Sequence, residues 1–241
     1  MSEFASESTH WYDAEGNPCH TQVVQSGKRK GLERPTTLRD ARKLCLFPSV
    51  TTITSILDKP ALTAWKCRQA AERALASERG EDFEENNSAE IGSKIHGAIE
   101  KWLEGKPYDA KYQGYVDVVE KVLEEIGVEE PASEVSFCSY GYGGAVDLHD
   151  RKANIILDFK TKDEVEKGKD YHYDEHAMQL GAYRLGLDMP EAVCYNLFLS
   201  RSSPSNYCLH RWEEAEIERG TMIFTKLLSV WRLIKRMGYG E

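Results

Sequence analysis

The chain has 241 residues, 41% apolar and 29% charged, with a formal net charge of −9. That length holds one ordinary domain, or one domain with helical additions, and the composition is that of a soluble globular protein. No window approaches the roughly 18 apolar residues of a membrane span, and the acidic balance excludes a general attraction to polyanions, so any nucleic-acid contact must be local.

The opening MSEFASESTH is acidic and polar, without the pattern of a secretory signal or a transit peptide, so a cytoplasmic location is expected. Residues 1 to about 35 lack periodicity and read as a loosely ordered arm, with a short hairpin around AEGNP. Lys28, Arg29, Lys30, Arg34, Arg39, Arg42 and Lys43 crowd one stretch against only Glu33 and Asp40. They form either a solvated basic loop or a phosphate contact. Thr37 with Asp40 resembles a capping box that opens a short helix through Leu44. In SVTTITSIL, Val50, Ile53 and Ile56 or Leu57 recur at helical spacing, while the β-branched run makes a strand the competitor. Asp58-Lys59-Pro60 starts a helix to about Arg79, with Trp65 expected in the core on its Leu62 face. After the acidic loop GEDFEENN, Ser88 caps a helix to about Leu103. A third helix, about 109–126, carries Tyr112, Tyr115, Val116, Val119, Leu123 and Ile126 on one stripe.

Beyond Pro131 the period shortens. SEVSFCS, GGAVDLHD and NIILDFKT read as a three-stranded meander. A polar loop, 162–174, leads to a helix from about Asp174 to Leu187, then to strands in EAVCYNLFLS and NYCLHRW. A closing helix, about 213–236, has Ile217, Phe224, Leu228 and Trp231 on its apolar face. The expected fold is one α/β unit: a core over 88–241 with a long C-terminal helix, preceded by an arm and helical addition over 1–87. Six scattered cysteines without a CxxC pair argue against a zinc ribbon or an iron–sulfur cluster. No GxxxxGK[ST] nucleotide-binding loop is present, so no nucleotide cofactor is expected.

IILDFKTK, residues 155–162, breaks its own apolar pattern: Asp158 and Lys160 share one strand face and Phe159 takes the other. Asp147 and Asp158 are expected at matching ends of neighbouring strands. Two carboxylates that close repel unless a cation intervenes, and all-oxygen ligation suits Mg²⁺ or Mn²⁺. The plainer alternative is an Asp–Lys ion pair blunting a sheet edge. Gly92, His96 and Glu100 lie on one helix face at successive i, i+4 steps, and Gln179 and Tyr183 lie one turn apart after the third strand.

In this order, Gly92 with His96, Gly144 with Asp147, Asp158 with Lys160, and Gln179 with Tyr183 resemble the RecB-type branch of the PD-(D/E)XK nucleases. The resemblance covers about residues 88–200. The stretch RPTTLRDARKLCLFPSVTTITSIL extends it toward phage-encoded exonucleases and the mitochondrial genome maintenance exonuclease group. It implies a restriction-endonuclease-like core of αβββαβ order around a mixed sheet, and Mg²⁺- or Mn²⁺-dependent hydrolysis of DNA in replication, recombination or repair. Single-stranded ends are the expected substrate, and a recombination or single-strand-binding protein a possible partner. The implied ligands are His96, Asp147, Asp158 and the Phe159 carbonyl, with Lys160 beside the nucleophilic water and Gln179 and Tyr183 positioning the site. Arg34, Arg39, Arg42, Lys43, Ser49 and Thr51 are the implied DNA contacts, with Trp65 or Tyr12 as a base-stacking ring. Glu134 is an outer carboxylate or a surface residue. A resolvase-like endonuclease and an inactive DNA-binding module remain the alternatives.

Overall fold

The computed structural model describes residues 10–79 and 88–237. The GEDFEENN segment, the first nine residues and the last four lie outside the described residues.

The N-terminal region opens with β1 (Trp11–Tyr12), β2 (Thr21–Val23), β3 (Glu33–Pro35), α1 (Leu38–Leu44), β4 (Phe47–Pro48), α2 (Val50–Thr54) and α3 (Pro60–Arg79). Its described arm is anchored rather than loose. Trp11 is fully buried, donates Nε1–H to the Thr36 carbonyl at 3.2 Å, and meets Trp231 edge to face. One large aromatic side chain removes enough apolar surface from water to hold a segment that has no periodicity of its own. The turn at AEGNP forms, with the Cys19 N–H donating to the Trp11 carbonyl and the Asp13 carboxylate accepting from the N–H groups of Glu15 and Asn17. The Thr37–Asp40 capping box is present, and α1 ends on Cys45 in the left-handed region, φ 54°. In SVTTITSIL helix prevails over strand because the Ser49 hydroxyl accepts from the Thr52 N–H at 3.0 Å, while Val50 and Ile53 turn inward.

The second half contains α4 (Ser88–Leu103), α5 (Gln113–Ile126), β5 (Ala132–Ser139), β6 (Tyr142–Asp150), β7 (Ile155–Lys162), α6 (Asp174–Gly186), β8 (Val193–Ser200), β9 (Tyr207–Arg211) and α7 (Glu214–Lys235). Its five strands lie in the order β5-β6-β7-β8-β9, antiparallel throughout except for the parallel pair β7–β8. A parallel pair needs a crossover, and α6 supplies it. β7 is therefore the central strand, and the edge-blunting reading of Asp158 and Lys160 does not hold.

Helices cover both faces. Ile156, Cys194 and Tyr142 pack with α6, α7, Trp11, Val50 and Ile53, so the N-terminal region shares the core of one face. Leu157, Phe159, Leu197 and Leu199 pack with Ile95 and Ile99 of α4 and with Tyr115, Val119 and Leu123 of α5. Burial on two faces explains the near-continuous apolar runs of β7 and β8.

α3 departs from expectation. From Thr63 to Arg79 only Gln69 and Ala76 are even half-buried, and Trp65 is 43% exposed rather than in the core. The sequence WKCRQAAERALASER distributes Lys, Arg and Glu around the helix, so no apolar stripe exists to bury.

Candidate active site

Strand register places an unusual row of residues across the whole sheet. Val135 pairs with Val146 and Ser133 with Leu148, which sets Glu134 opposite Asp147. Leu148 pairs with Leu157, which sets Asp147 opposite Asp158. Asp158 pairs with Asn196, and Asn196 with His210. One line thus runs Glu134, Asp147, Asp158, Asn196, His210, with three carboxylates side by side. Both aspartates lie inside their strands, not at the strand ends expected from sequence.

The acidic half of the row is where the sheet is distorted. The β6–β7 ladder stops at Leu148–Leu157, whereas β7 pairs with β8 along its full length. Glu134 has φ 49°, a left-handed value that a non-glycine residue adopts only under constraint. Val146 packs in the α6–α7 core and Leu148 in the α4–α5 core, although strand alternation would send both to one face. β6 therefore turns over at Asp147 without gaining a residue, since the β5–β6 register is the same on either side. The Asp147 Oδ2 takes the place of the lost ladder and accepts from the Phe159 N–H at 2.7 Å.

Helices reach this opening from both faces. On α4, a Cβ at Gly92 would stand 2.6 Å from the Thr161 Oγ1. A larger residue would have to displace the Thr161 side chain, so Gly92 allows the approach that sets His96 edge-on to Phe159 and its Nδ1 3.9 Å from Asp147 Oδ2. On β6, a Cβ at Gly144 would meet the rings of Phe137 and Tyr183 at 2.9 and 3.2 Å, which keeps the Tyr183 ring seated under the site.

From α6, Gln179 and Tyr183 complete a chain of hydrogen bonds. Lys160 Nζ donates to Asp158 Oδ2 at 2.5 Å and to Gln179 Oε1 at 2.9 Å, and Gln179 Nε2 donates to the Tyr183 hydroxyl at 2.7 Å. From the other side, Asn196 Nδ2 donates to Asp158 Oδ2 at 2.7 Å while Trp212 Nε1 donates to Asn196 Oδ1 at 2.8 Å. Sequence reasoning misses Asn196 and Trp212. The visible signal is Asn196, the lone polar side chain within VCYNLFL, and its partner emerges only from the register.

Burial raises the Asp158 carboxyl to about 6 against the pull of Lys160, with Asp147 adding to the rise. Asp147 is raised too, chiefly by burial. Glu134, exposed at the mouth but densely surrounded, is pushed up to about 7 by desolvation and then by Asp147, Glu100, Asp158 and Glu104. Burial lowers His96, partly countered by Asp158, and keeps the imidazole neutral near pH 7 with a lone pair to offer. Tyr183 is raised well above the ordinary phenol range by burial and the two aspartates, so its hydroxyl keeps its proton. Three acids whose full ionisation is resisted, beside a neutral imidazole and one ammonium, form a site short of positive charge.

The structure brings together His96, Asp147, Asp158, Phe159, Lys160, Gln179 and Tyr183. It does not draw the ligand atoms of His96, Asp147 and Asp158 into one tight group. Among the described residues, the three-residue group whose ligand atoms all lie within 4.8 Å of one another is Asp170, His172 and His210.

The expected DNA contacts divide. Arg39, Lys43 and Thr51 are exposed. Arg34 forms a two-pronged pair with Asp40, and Arg42 donates to the Lys235 carbonyl. Ser49 is 3% exposed and caps α2, and Tyr12 is buried with its ring against Gly143, so neither offers a free surface.

No family model matches the chain, and no curated protein matches it. Among solved structures it is similar to the "Putative exonuclease" of Eubacterium rectale, at 10% identity over 67% of this chain and 72% of that one, TM-score 0.43. It is also similar to the protein SSO0001, at 17% identity over 64% of this chain and 83% of that one, TM-score 0.28. At such scores residue roles rest on this chain's own geometry. Among the described residues no helix is long and apolar enough to cross a membrane.

Proposed function

We propose that the chain is a divalent-metal-dependent DNA exonuclease of the RecB-type PD-(D/E)XK branch, acting on single-stranded ends. The observation that carries this reading is the juxtaposition of Asp147 and Asp158 where β6 and β7 part, with the Lys160 ammonium on Asp158 and His96 3.9 Å from Asp147.

The donor set fits a hard divalent cation. Two opposed carboxylates with raised pKa values gain from a cation between them, and a neutral imidazole adds a lone pair without adding charge. His96, Asp147, Asp158 and the Phe159 carbonyl would hold Mg²⁺ or Mn²⁺. Bound there, such an ion supplies Lewis-acid polarisation of the scissile phosphate and a more acidic water. Lys160 sits where its ammonium can orient the attacking water and offset the charge that builds on phosphorus. The Gln179 carbonyl oxygen holds Lys160 in place, and Tyr183, locked in its protonated form, anchors Gln179. Asn196 fixes the rotamer of Asp158 from the opposite side.

DNA would approach across the described N-terminal region, residues 10–79, toward the sheet. Arg39, Lys43 and Thr51 offer exposed backbone contacts, and Trp65 on the uncovered α3 offers a ring for base stacking. The test is degradation of end-labelled single-stranded oligonucleotide with Mg²⁺, with chelator, and by the Asp158→Ala variant. Activity that survives chelation or the substitution defeats the metal-dependent reading. Cleavage of covalently closed circular single strands would make the enzyme an endonuclease instead.

A further inference from the structure

The neutral end of the polar row leads to a second group of ligating side chains. His210 on β9 stacks on His172 from the loop before α6, with ring centroids 3.9 Å apart and planes 15° from parallel. The ring of Trp212 stands edge-on to both. His172 Nδ1 lies 2.7 Å from Asp170 Oδ1 yet makes no hydrogen bond with it, and His210 Nε2 is likewise a buried atom without a hydrogen-bond partner among the described residues. Buried polar atoms are nearly always satisfied, so two orphaned ring nitrogens in one cluster demand an explanation. One ligand atom each from Asp170, His172 and His210 falls within 4.8 Å of the other two.

We propose that Asp170, His172 and His210 form a binding site for a borderline divalent transition ion such as Zn²⁺, separate from the carboxylate site. Two imidazoles and one carboxylate make the donor set of three-ligand zinc sites, which leave positions for water. Nitrogen donors disfavour Mg²⁺ and Ca²⁺, so the two sites of the chain would select different ions. Adjacent ligands on a tetrahedral ion with ~2.0–2.1 Å bonds stand about 3.3 Å apart, so the 2.7 Å gap between His172 Nδ1 and Asp170 Oδ1 opens by roughly half an ångström on binding. Parallel rings cannot both aim a lone pair at one ion, so binding requires one ring to turn. His172 is the one free to do so: it sits on a loop with a quarter of its side chain exposed, whereas His210 is fixed on a paired strand.

An ion there would tie the Asp170–His172 loop to edge strand β9 and clamp the edge of Trp212 between the two elements. Trp212 Nε1 holds Asn196, and Asn196 holds Asp158. The second ion would thus steady the far end of the hydrogen-bond chain that orients Asp158. The site stands on its own geometry and does not depend on the nuclease reading.

The experiment is titration of chelator-treated full-length protein with Co²⁺, read by visible d–d absorption, and with Zn²⁺, read by calorimetry. With millimolar Mg²⁺ present to occupy the carboxylate site, one equivalent should bind, be displaced by Zn²⁺, persist in Asp158→Asn, and raise the melting temperature. His210→Ala and His172→Ala should each weaken it at least ~10-fold, since even outer-sphere substitutions at metal sites cost about that much. Asp170→Asn, at an exposed position that cannot threaten folding, should weaken it as well. Wild-type affinity in the two histidine variants, or loss of the bound equivalent only in Asp158→Asn, would overturn the proposal.

Discussion

Asp150 and Asp158 are both buried, lie on neighbouring strands, and sit a few residues apart along the same β6–β7 pair, yet their surroundings make them opposites. Asp150 closes the ladder: its carboxylate accepts from the backbone N–H groups of Glu129, Glu130, Lys152 and Ala153 at 2.7–2.9 Å. Burial works against its charge, but those four donors outweigh it and hold Asp150 below the usual carboxylate range. Asp158 stands where the ladder has failed. It has Lys160 and Asn196 but also Asp147 opposite, and burial carries it to about 6. Burial alone does not mark a functional acid. A carboxylate saturated with backbone donors is scaffold, and one left short of positive charge is chemistry in waiting.

The largest effects should come from exchanging the two roles. Asp158→Asn is expected to lower DNA hydrolysis at least about a hundredfold, because partners that merely orient metal ligands are already worth about 10–100-fold. The same variant should be more stable than the parent above pH 6. An acid with a folded value near 6 and an ordinary value of 3.8 holds its proton more tightly when folded. Parent stability therefore falls as pH rises from about 4 to 6, then levels, and the Asn variant lacks that slope, a difference of about 1–3 kcal/mol in chemical denaturation. Asp150→Ala should do the reverse: about 2–4 kcal/mol of stability lost through unpaired backbone donors, with activity per folded molecule retained. Because Asp150 is lowered, its contribution is present above the ordinary carboxylate value and is lost as pH falls through its folded value. Equal activity losses in both variants would erase the distinction.

Lys160→Met comes next, at about 10²–10³-fold in rate, the scale of removing one transition-state charge partner. It also strips Asp158 of its only cation among the described residues, so the activity profile should move to higher pH. A rate change without a pH shift would make Lys160 a partner of substrate alone. Asn196→Leu is expected to weaken Mg²⁺ or Mn²⁺ binding by about 10-fold or more, and to cost about 1–3 kcal/mol by leaving the Trp212 N–H unpaired in the core. Unchanged metal affinity at reduced stability would restrict Asn196 to packing.

Local signals in the sequence carry as far as local physics reaches. The Thr37–Asp40 box, the Pro60 helix start and the α7 stripe are short-range patterns, and the elements follow them. Asp158 and Lys160 on one strand face follow from period-two geometry and end as an ion pair. What escapes depends on distant partners. Trp11 has no periodic context and is buried by Trp231 at the other end of the chain. The turnover of β6 at Asp147 depends on its pairing with β5 and β7 at once, and the pairing of Asn196 with Asp158 on a parallel register set by the α6 crossover. Trp65 misleads in the other direction, since its helix carries no apolar stripe and the ring is left 43% exposed.

The smallest effects belong to the basic stretch, and there the comparison between structural and chemical charge repeats in positive sign. Arg34 is locked onto Asp40, the same carboxylate that closes the α1 capping box, and Arg42 caps the last turn of α7 through the Lys235 carbonyl. Arg39 and Lys43 are exposed on the outer face of α1. Reversal of Arg39 and Lys43 should weaken oligonucleotide binding only a few-fold, but should flatten the slope of log affinity against log salt by about 0.7 for each single-strand phosphate no longer neutralised. Reversal of Arg34 should instead lower the melting temperature by breaking the cap, and leave the slope near that of the parent. If the salt slope follows Arg34 rather than Arg39 and Lys43, the phosphate backbone crosses this region on the other side of α1.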